Sequence, residues 1–553
     1  MIYWGGFKNY LDRRERGAVL LLLMLVCIVY LPFLGNPFFF DDYNAFRGDF
    51  IETYKNNWFD LSLRRLPYAI LVGLNTVFSD EFPHVYRLVN MLLHVANSVL
   101  LFYFLRHLID AVRMESAHPS IATRGAWFGA AVFALHPVAT FAVGYVIQIS
   151  ILMSTMFSLL MLLAYLRGLL TGEKRWFALA VGAYFLACLS KEHSVLMPAV
   201  LGAMSVLVSV EKRISRQALW LTWLAFISIA IFAIMQAKGV LGKAYEPMAA
   251  QLLSQQNIEG SALMLHLLSA LTQAGLFFKY LLLWIFPDPT LMSIDMRESF
   301  VVSVWAWQGW LGGIAFLLYG VLGIRLLFRG GLERVAGFAM LYPWLLFLVE
   351  MTGIRMQEPF VLYRSYLWMP GMMVFIPLLL TRLPERKSVL AMVGLATVLI
   401  ALSWGRLNVF SDNYRIWNEA ANLLKSERMA GADRIYYNRG QAESAAKKWE
   451  DAAADFKRSA DISPRLEPIR YQLGVAYGNS GRFEEALEQF NVALAMNPDD
   501  DRVYFAKGMT LKFMHRDGEA LQQMQRSCEL KNQVACILIS VPNKHKNGPN
   551  KPN

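Results

Sequence analysis

The chain has 553 residues, 56% of them hydrophobic and only 17% charged, with a net charge of +11 and a mean hydropathy of +0.36. A soluble domain carries about 25% charged residues, so the composition excludes an ordinary soluble enzyme and implies a polytopic membrane protein with room for one further soluble domain. The basic excess is not a nucleic-acid signal, because much of it lies in short loops between apolar runs, where it orients a membrane protein.

Lys8, Arg13, Arg14 and Arg16 precede an apolar run from about Gly17 to Phe33. That run lacks a small-residue cleavage site and more apolar runs follow, so it reads as an uncleaved first membrane helix. Next comes Phe38-Phe39-Phe40-Asp41-Asp42-Tyr43-Asn44-Ala45. Two carboxylates behind three phenylalanines, where a helix leaves the bilayer, lose hydration. This raises a carboxyl pKa and makes the group a better base for taking a proton from a hydroxyl. The plain alternative is that the pair only marks the water interface.

Further apolar runs lie at about 87–106, 125–141, 143–166, 176–190, 194–210, 218–236, 263–286, 302–328, 335–351, 361–381 and 388–405. Each is close to the roughly 20 residues that a helix needs to cross a bilayer. Six basic clusters belong in the cytoplasm by the positive-inside rule: Arg13/Arg14/Arg16, Arg106/Arg113/Arg124, Arg167/Lys174/Arg175, Lys212/Arg213/Arg216, Arg325/Arg329/Arg334 and Arg382/Arg386/Lys387. The alternation breaks between Arg216 and Arg325. It is restored if 263–286 is a re-entrant or surface-lying segment with both ends outside, and His266, Gln273 and Lys279 within it fit a partly wet element. The expected fold is therefore all-α: a polytopic membrane domain, 1–410, with about 11 crossings plus that segment, an inside N-terminus and an outside C-terminus. The alternative is twelve crossings and a cytoplasmic tail.

In this topology Asp41/Asp42, His136-Pro137, Lys191-Glu192-His193, 237–301 and 351–362 share the outer side. Three ionisable residues, Lys191, Glu192 and His193, at a membrane edge are costly unless used. Lysine suits a lipid phosphate and Glu192 a hydroxyl or the lysine, whereas a bland turn would be built from Gly, Asn or Ser. His136 stands at a proline turn, where it either caps or binds a ligand. Asn90 and His94 share one helix face, which points to a cavity or to helix packing. Arg64 and Arg65 end the first long loop, and Arg355 and Arg364 flank 351–362; arginine suits bidentate phosphate binding. Asp41 and Asp42 offer a divalent metal two carboxylates, but no second carboxylate cluster accompanies them. Metal-independent chemistry is favoured, and neither a metal site nor a cofactor is assigned.

From about residue 411 the chain turns polar and periodic. Gly440, Gly474 and Gly508 are 34 apart, as are Ala452, Ala486 and Ala520, then Phe456, Phe490 and Met524, and Pro464 and Pro498. This is the tetratricopeptide (TPR) period. It gives a linker helix at 411–432, a TPR domain at 433–540 with repeats at about 433–466, 467–500 and 501–534, and a disordered tail at 541–553. Of the four cysteines, Cys27 and Cys188 fall in spans, while Cys528 and Cys536 pair if the tail lies in an oxidising compartment.

Arg87-Leu88-Val89-Asn90-Met91-Leu92-Leu93-His94, Ala134-Leu135-His136-Pro137-Val138 and Leu189-Ser190-Lys191-Glu192 follow one another as in the transmembrane-and-TPR O-mannosyltransferases. So do the Asp41-Asp42 loop, Phe286-Pro287 with Ser293-Ile294-Asp295, and Tyr366-Leu367-Trp368-Met369-Pro370. Nearly the whole chain resembles this family, a branch of the GT-C glycosyltransferase superfamily. The resemblance implies a polyprenyl-phosphate-linked sugar donor, a base at Asp41 or Asp42, and a lipid phosphate handled by Lys191, Glu192, Arg65 and Arg364. Asn90, His94, His136 and His193 would face substrate. The family often has Glu-Arg before its Tyr-x-Tyr-Leu-Pro run; here Arg364 and Ser365 stand there and Trp368 replaces the second tyrosine. The three repeats and compact chain resemble bacterial members, which include type IV pilin-modifying enzymes, so the sugar is not taken to be mannose.

The resulting expectation is an inverting glycosyltransferase of a bacterial inner membrane. It moves a sugar from the polyprenyl phosphate to a protein Ser/Thr hydroxyl in the periplasm, with the TPR groove holding a protein acceptor such as a pilin. Asp41, nearer the apolar run, is favoured as base. Competing readings are a glycan or lipid acceptor, and a non-catalytic TPR assembly scaffold; a transporter would show internal repeats or broken helices, and neither is evident.

Overall fold

A computed structural model describes residues 13–46, 48–55, 60–112, 119–208, 214–237, 253, 258, 260–380, 383–464 and 466–540. The expected disordered tail at 541–553, and Arg113, Lys212, Arg213 and Arg382 of the basic clusters, lie outside the described residues. Among the described residues the chain is helical and has no strand. It divides into two compact units, 1–412 and 413–553.

The first unit contains α1 (Arg13–Tyr30), α2 (Gly48–Lys55), α3 (Arg65–Phe78), α4 (Pro83–Ala111), α5 (Pro119–Leu135), α6 (Thr140–Val143), α7 (Ile149–Thr171) and α8 (Lys174–Ser190). It continues with α9 (Met197–Leu207), α10 (Arg216–Ala237), α11 (Ala262–Ile285), α12 (Trp307–Leu327), α13 (Gly331–Phe347), α14 (Phe375–Leu380) and α15 (Glu385–Val409). By length and composition, eight helices among the described residues are able to cross a membrane, or nine if 122–135 and 137–143, bent by 50°, form one span. The expected regular span at 361–381 is instead two 3-10 segments, Leu362–Leu367 and Met369–Val374, leading into α14. Pro370 stops an α-helix there, and Gly371 lies where a Cβ would come within 2.4 Å of Tyr342. Irregular backbone is tolerated at such depth when buried in protein, and Ser365 to Gly371 are all buried.

The segment expected to be re-entrant is one continuous 24-residue helix, α11. Its polar residues are used by protein rather than by water. Gln273 donates to the Pro359 carbonyl at 2.8 Å, and Lys279 pairs with Glu298 and lies 4.3 Å over the Phe360 ring. α11 and α12 run in the same direction: Gly312 meets Gly275, Phe316 packs on Phe277, and Tyr319 packs on Phe277 and Phe278. The intervening chain therefore returns along α11, and Val301 N–H donates to Thr272 Oγ1 at 2.9 Å on the way.

The second unit begins with α16 (Asn413–Asn422), which is shorter than the expected 411–432 linker helix and packs on the repeats through Ile416, Trp417 and Ala420. Three helix pairs follow: α17 (Ala432–Ala445) with α18 (Trp449–Ile462), α19 (Glu467–Asn479) with α20 (Phe483–Met496), and α21 (Asp501–Phe513) with α22 (Asp517–Glu529). α23 (Gln533–Ser540) closes the array, joined to α22 by a Cys528–Cys536 disulfide. The 34-residue glycines have a direct cause. A Cβ at Gly440, Gly474 or Gly508 would lie 2.9, 2.6 or 2.9 Å from Phe456, Phe490 or Met524 of the paired helix.

Gly474→Ala is therefore expected to destabilise the repeats by about 1–3 kcal/mol, the usual cost of overpacking. Gly518→Ala, with nothing within 4 Å, should be neutral or stabilising. Hydrogen exchange across α19 and α20 in the full chain checks both.

Candidate functional site

The site is built on α4. Arg87 and Asn90 lie one turn apart on the same face, both buried. The Arg87 guanidinium bonds the carbonyls of Asn36, Pro37 (2.6 Å) and Gly144 (3.2 Å). The Asn90 amide lies 3.2–3.3 Å from the carbonyls of Val143, Tyr145 and Val146. Together they clamp the non-regular segment 143–148 against the chain leaving α1. The Asn90 amide nitrogen is thus committed to holding the loop.

That loop holds the acidic half. Ile147 N–H donates to Asp42 Oδ1 at 2.9 Å, and Asp41 N–H donates to the Tyr145 hydroxyl at 2.9 Å. Asp42 is fully buried; burial pushes its carboxyl up to about 7, against the lowering effects of Arg87 and the Ile147 amide. Asp41 is partly exposed, and its Oδ1 accepts from Asn44 Nδ2 at 3.3 Å. The expectation that Asp41 is the more desolvated carboxylate is reversed. Phe38 and Phe39 are already buried, and Phe40, whose φ of 51° is uncommon for a bulky residue, redirects the chain so that Asp42 rather than Asp41 takes the next buried place.

The same loop holds the basic half. Lys191, at the end of α8, donates to Gln148 Oε1 at 3.2 Å and Ser150 Oγ at 3.5 Å. Its ammonium lies 5.0 Å over the Tyr363 ring. Burial, reinforced by the Arg64 charge, lowers Lys191 to about 7. Next to it, Glu192 receives a two-pronged bond from Arg64, with Nε to Oε2 at 2.9 Å. Arg64 sits at φ 62°, in the left-handed region. His193 lies between carboxylates, with Nδ1 3.5 Å from Glu192 and Nε2 2.9 Å from Glu350. Glu350, fully buried, also lies 3.4 Å from both Arg355 Nε and Arg364 Nη1. Arg364 further donates to the Glu358 carbonyl at 3.1 Å.

Asp41, Asp42, Lys191, Glu192, His193 and Arg364 are therefore brought together, while four other candidates are not. Arg65 donates to the Thr53 carbonyl at 2.6 Å and lies over Tyr54, bracing α2 on α3; its neighbour Arg64 reaches the cluster instead. His94 is buried, with Nδ1 2.6 Å from the Tyr366 hydroxyl and Nε2 3.0 Å from the Ala134 carbonyl, so it ties α4 to α5 and the Tyr366 segment. Asn90 clamps the loop. His136 caps Val138 N–H through Nδ1 at 3.3 Å, stacks on Trp284 at 4.5 Å and borders an apolar cavity of about 780 Å³. Among the described residues no group of three or more His, Cys, Asp or Glu side chains is placed to hold a metal ion.

Sequence reasoning missed Glu350, Tyr145, Gln148 and Tyr363, named Arg64 only beside Arg65 as a phosphate-binding arginine, and gave Arg87 no role of its own. Glu350 had a signal, as a lone carboxylate inside an apolar run is a functional candidate by default. Tyr145, Gln148 and Tyr363 had none.

Residues 443–508 match the tetratricopeptide repeat family. Over 141 residues, 26% of the chain, the sequence is 28% identical to Superkiller protein 3 of Schizosaccharomyces pombe (strain 972 / ATCC 24843), and the chain spans about 10% of that relative's length. Among solved structures, MamA is 16% identical, covering 28% of this chain and 81% of its own, with a TM-score of 0.20. YrrB, described as a TPR protein with an unusual peptide-binding site, is 16% identical, covering 28% and 81%, with a TM-score of 0.22. The match over 443–508, together with the helix pairs there, gives the chain a tetratricopeptide-type helical repeat, a class that presents extended surfaces to protein partners.

Asn90→Ala removes the clamp from carbonyls that water cannot reach. The expected cost is about 1–3 kcal/mol, together with faster hydrogen exchange at Ile147 and Asp41, whereas Leu92→Ala on the exposed face of α4 should change neither.

Proposed function

We propose that this protein is a glycosyltransferase that moves a sugar from a polyprenyl-phosphate donor to an acceptor hydroxyl by inverting displacement. The observation that carries the reading is that one short segment, 145–150, holds a carboxylate pair on one side and a buried lysine on the other. A base and an anion-stabilising cation held by one rigid support are what such a displacement needs. The acceptor oxygen attacks the anomeric carbon and its proton passes to Asp41, the more accessible carboxylate. The bond from that carbon to the phosphate oxygen breaks, and the electron pair leaves with the phosphate. Lys191 meets the developing charge. Arg64 and Arg364, held by Glu192 and Glu350, keep the surrounding field positive. Asp42 fixes the loop that aims Asp41.

The resemblance to GT-C enzymes in the order of the motifs supports this reading. The parallel run of α11 and α12, with the chain at 286–306 returning between them, supports a topology in which both helices start on the same side, and hence an outside tail. The Cys528–Cys536 disulfide fits an oxidising compartment. The tetratricopeptide region would present a protein acceptor such as a pilin. The same region also suits a second reading, a membrane-anchored assembly scaffold without catalysis.

Asp41→Asn, expressed in the native host at wild-type levels, is expected to strip a discrete sugar mass from an envelope or pilus protein, read by intact-mass spectrometry. Asp42→Asn should leave a reduced fraction modified. Unchanged masses in Asp41→Asn and in a full deletion would leave the scaffold or a glycan acceptor.

Lys191 loses its charge as pH rises through about 7, so the affinity of the solubilised protein for undecaprenyl phosphate should fall as pH is raised from neutral into the alkaline range. Lys191→Arg, charged throughout, should flatten that dependence; equal slopes in the two proteins would take Lys191 out of phosphate binding.

A further inference from the structure

The loop that supports both halves of the cluster carries one side chain whose chemistry is unused. Tyr145 is 1% exposed. Its ring stacks on Phe39 at 5.0 Å and meets the edge of Tyr363 at 6.1 Å. A phenylalanine would make those contacts equally well, so packing does not call for the hydroxyl. The hydroxyl accepts the Asp41 N–H, and among the described residues no acceptor takes its own hydrogen. A buried O–H left without an acceptor is destabilising. The hydroxyl is bonded to the Asp41 backbone, and the ring that carries it meets Tyr363, over which the Lys191 ammonium lies. An anion held by Lys191 would supply the missing acceptor.

We propose that Tyr145 both positions Asp41 and donates a hydrogen bond to the phosphate of the sugar donor. Its oxygen fixes the Asp41 backbone, and its O–H is offered to the phosphate oxygen that departs from the anomeric carbon. The hydroxyl keeps its proton throughout: the acceptor's proton goes to Asp41, and the electron pair of the broken bond goes to the phosphate oxygen, where Tyr145 and Lys191 meet it. The inference rests on the transfer reading above.

The test compares full-length wild type, Asp41→Asn and Tyr145→Phe. The transfer rate is read in native membranes as the growth of the sugar-bearing mass, and the purified chains are assayed for undecaprenyl phosphate binding and thermal unfolding. Tyr145→Phe is expected to slow transfer at least about tenfold, to weaken undecaprenyl phosphate binding, and to lower the unfolding temperature only slightly, by the loss of the acceptor of one backbone N–H. A transfer rate equal to that of wild type overturns the inference, as does undecaprenyl phosphate binding equal to that of wild type. If Tyr145→Phe does not fold, 3-fluorotyrosine at this position keeps the ring and makes the hydroxyl more acidic. A more acidic donor changes the strength of its hydrogen bond, so the transfer rate at neutral pH should change, and a rate equal to that of wild type overturns the inference. Unchanged masses in Asp41→Asn sink the transfer reading and this inference with it. A lost mass in Asp41→Asn with full activity in Tyr145→Phe sinks only the inference.

Discussion

The two aspartates and Lys191 depend on the grip of Arg87 and Asn90 on the carbonyls at 143–146. A buried segment that breaks from α6 into a short 3-10 turn has backbone carbonyls that no regular helix satisfies. Here two side chains of one long helix supply the donors, and the segment becomes as fixed as the helix. The carboxylates and the lysine are then located by short bonds to that one support. This arrangement explains how residues far apart in the sequence come to share one site without a sheet or a metal to organise them.

Burial makes the charges expensive and also useful. Glu350 and Glu192 are tolerable because each faces at least two basic groups. Their arginines are in turn held at defined places, so the positive field exists before any ligand arrives. Asp42 and Lys191 are less fully compensated, and both are displaced toward neutrality. The pattern resembles that of sites built to handle charge that appears only transiently.

The fold was largely legible in the sequence where a period or a run length governs it. The 34-residue glycines announced their paired aromatic or methionine partners, and most apolar runs became helices. The departures came where tertiary contacts override length. The 361–381 run breaks into 3-10 turns because Pro370 and the approach of Gly371 to Tyr342 leave no room for a regular helix. α11 is continuous because the loop at 351–362 satisfies its polar residues. At the site, the ionisable motifs Asp41-Asp42 and Lys191-Glu192-His193 announced themselves, since charges at a membrane edge are conspicuous. The neutral members, Tyr145, Gln148 and Tyr363, did not, because nothing local distinguishes a buried tyrosine from a packing one. Asp41 as the buried carboxylate was misjudged because the backbone, left-handed at Phe40, decides which of two adjacent residues turns inward, and no side-chain pattern encodes that; of the two arginines, the more exposed Arg64 reaches Glu192, while Arg65 is buried against Thr53 and Tyr54.

The low affinity of Lys191 for its own proton gives the resting site a proton-linked character. At neutral pH the amine is charged only part of the time, and an incoming anion favours the charged form. Anion arrival and proton uptake then become a single thermodynamic event. On the proposed transfer reading, the protein would draw a proton from the surroundings as the donor docks and return it when the phosphate leaves, while the proton that Asp41 would take from the acceptor would be discharged separately. A complete cycle would thus pass two protons through one loop, on opposite sides of the same tyrosine.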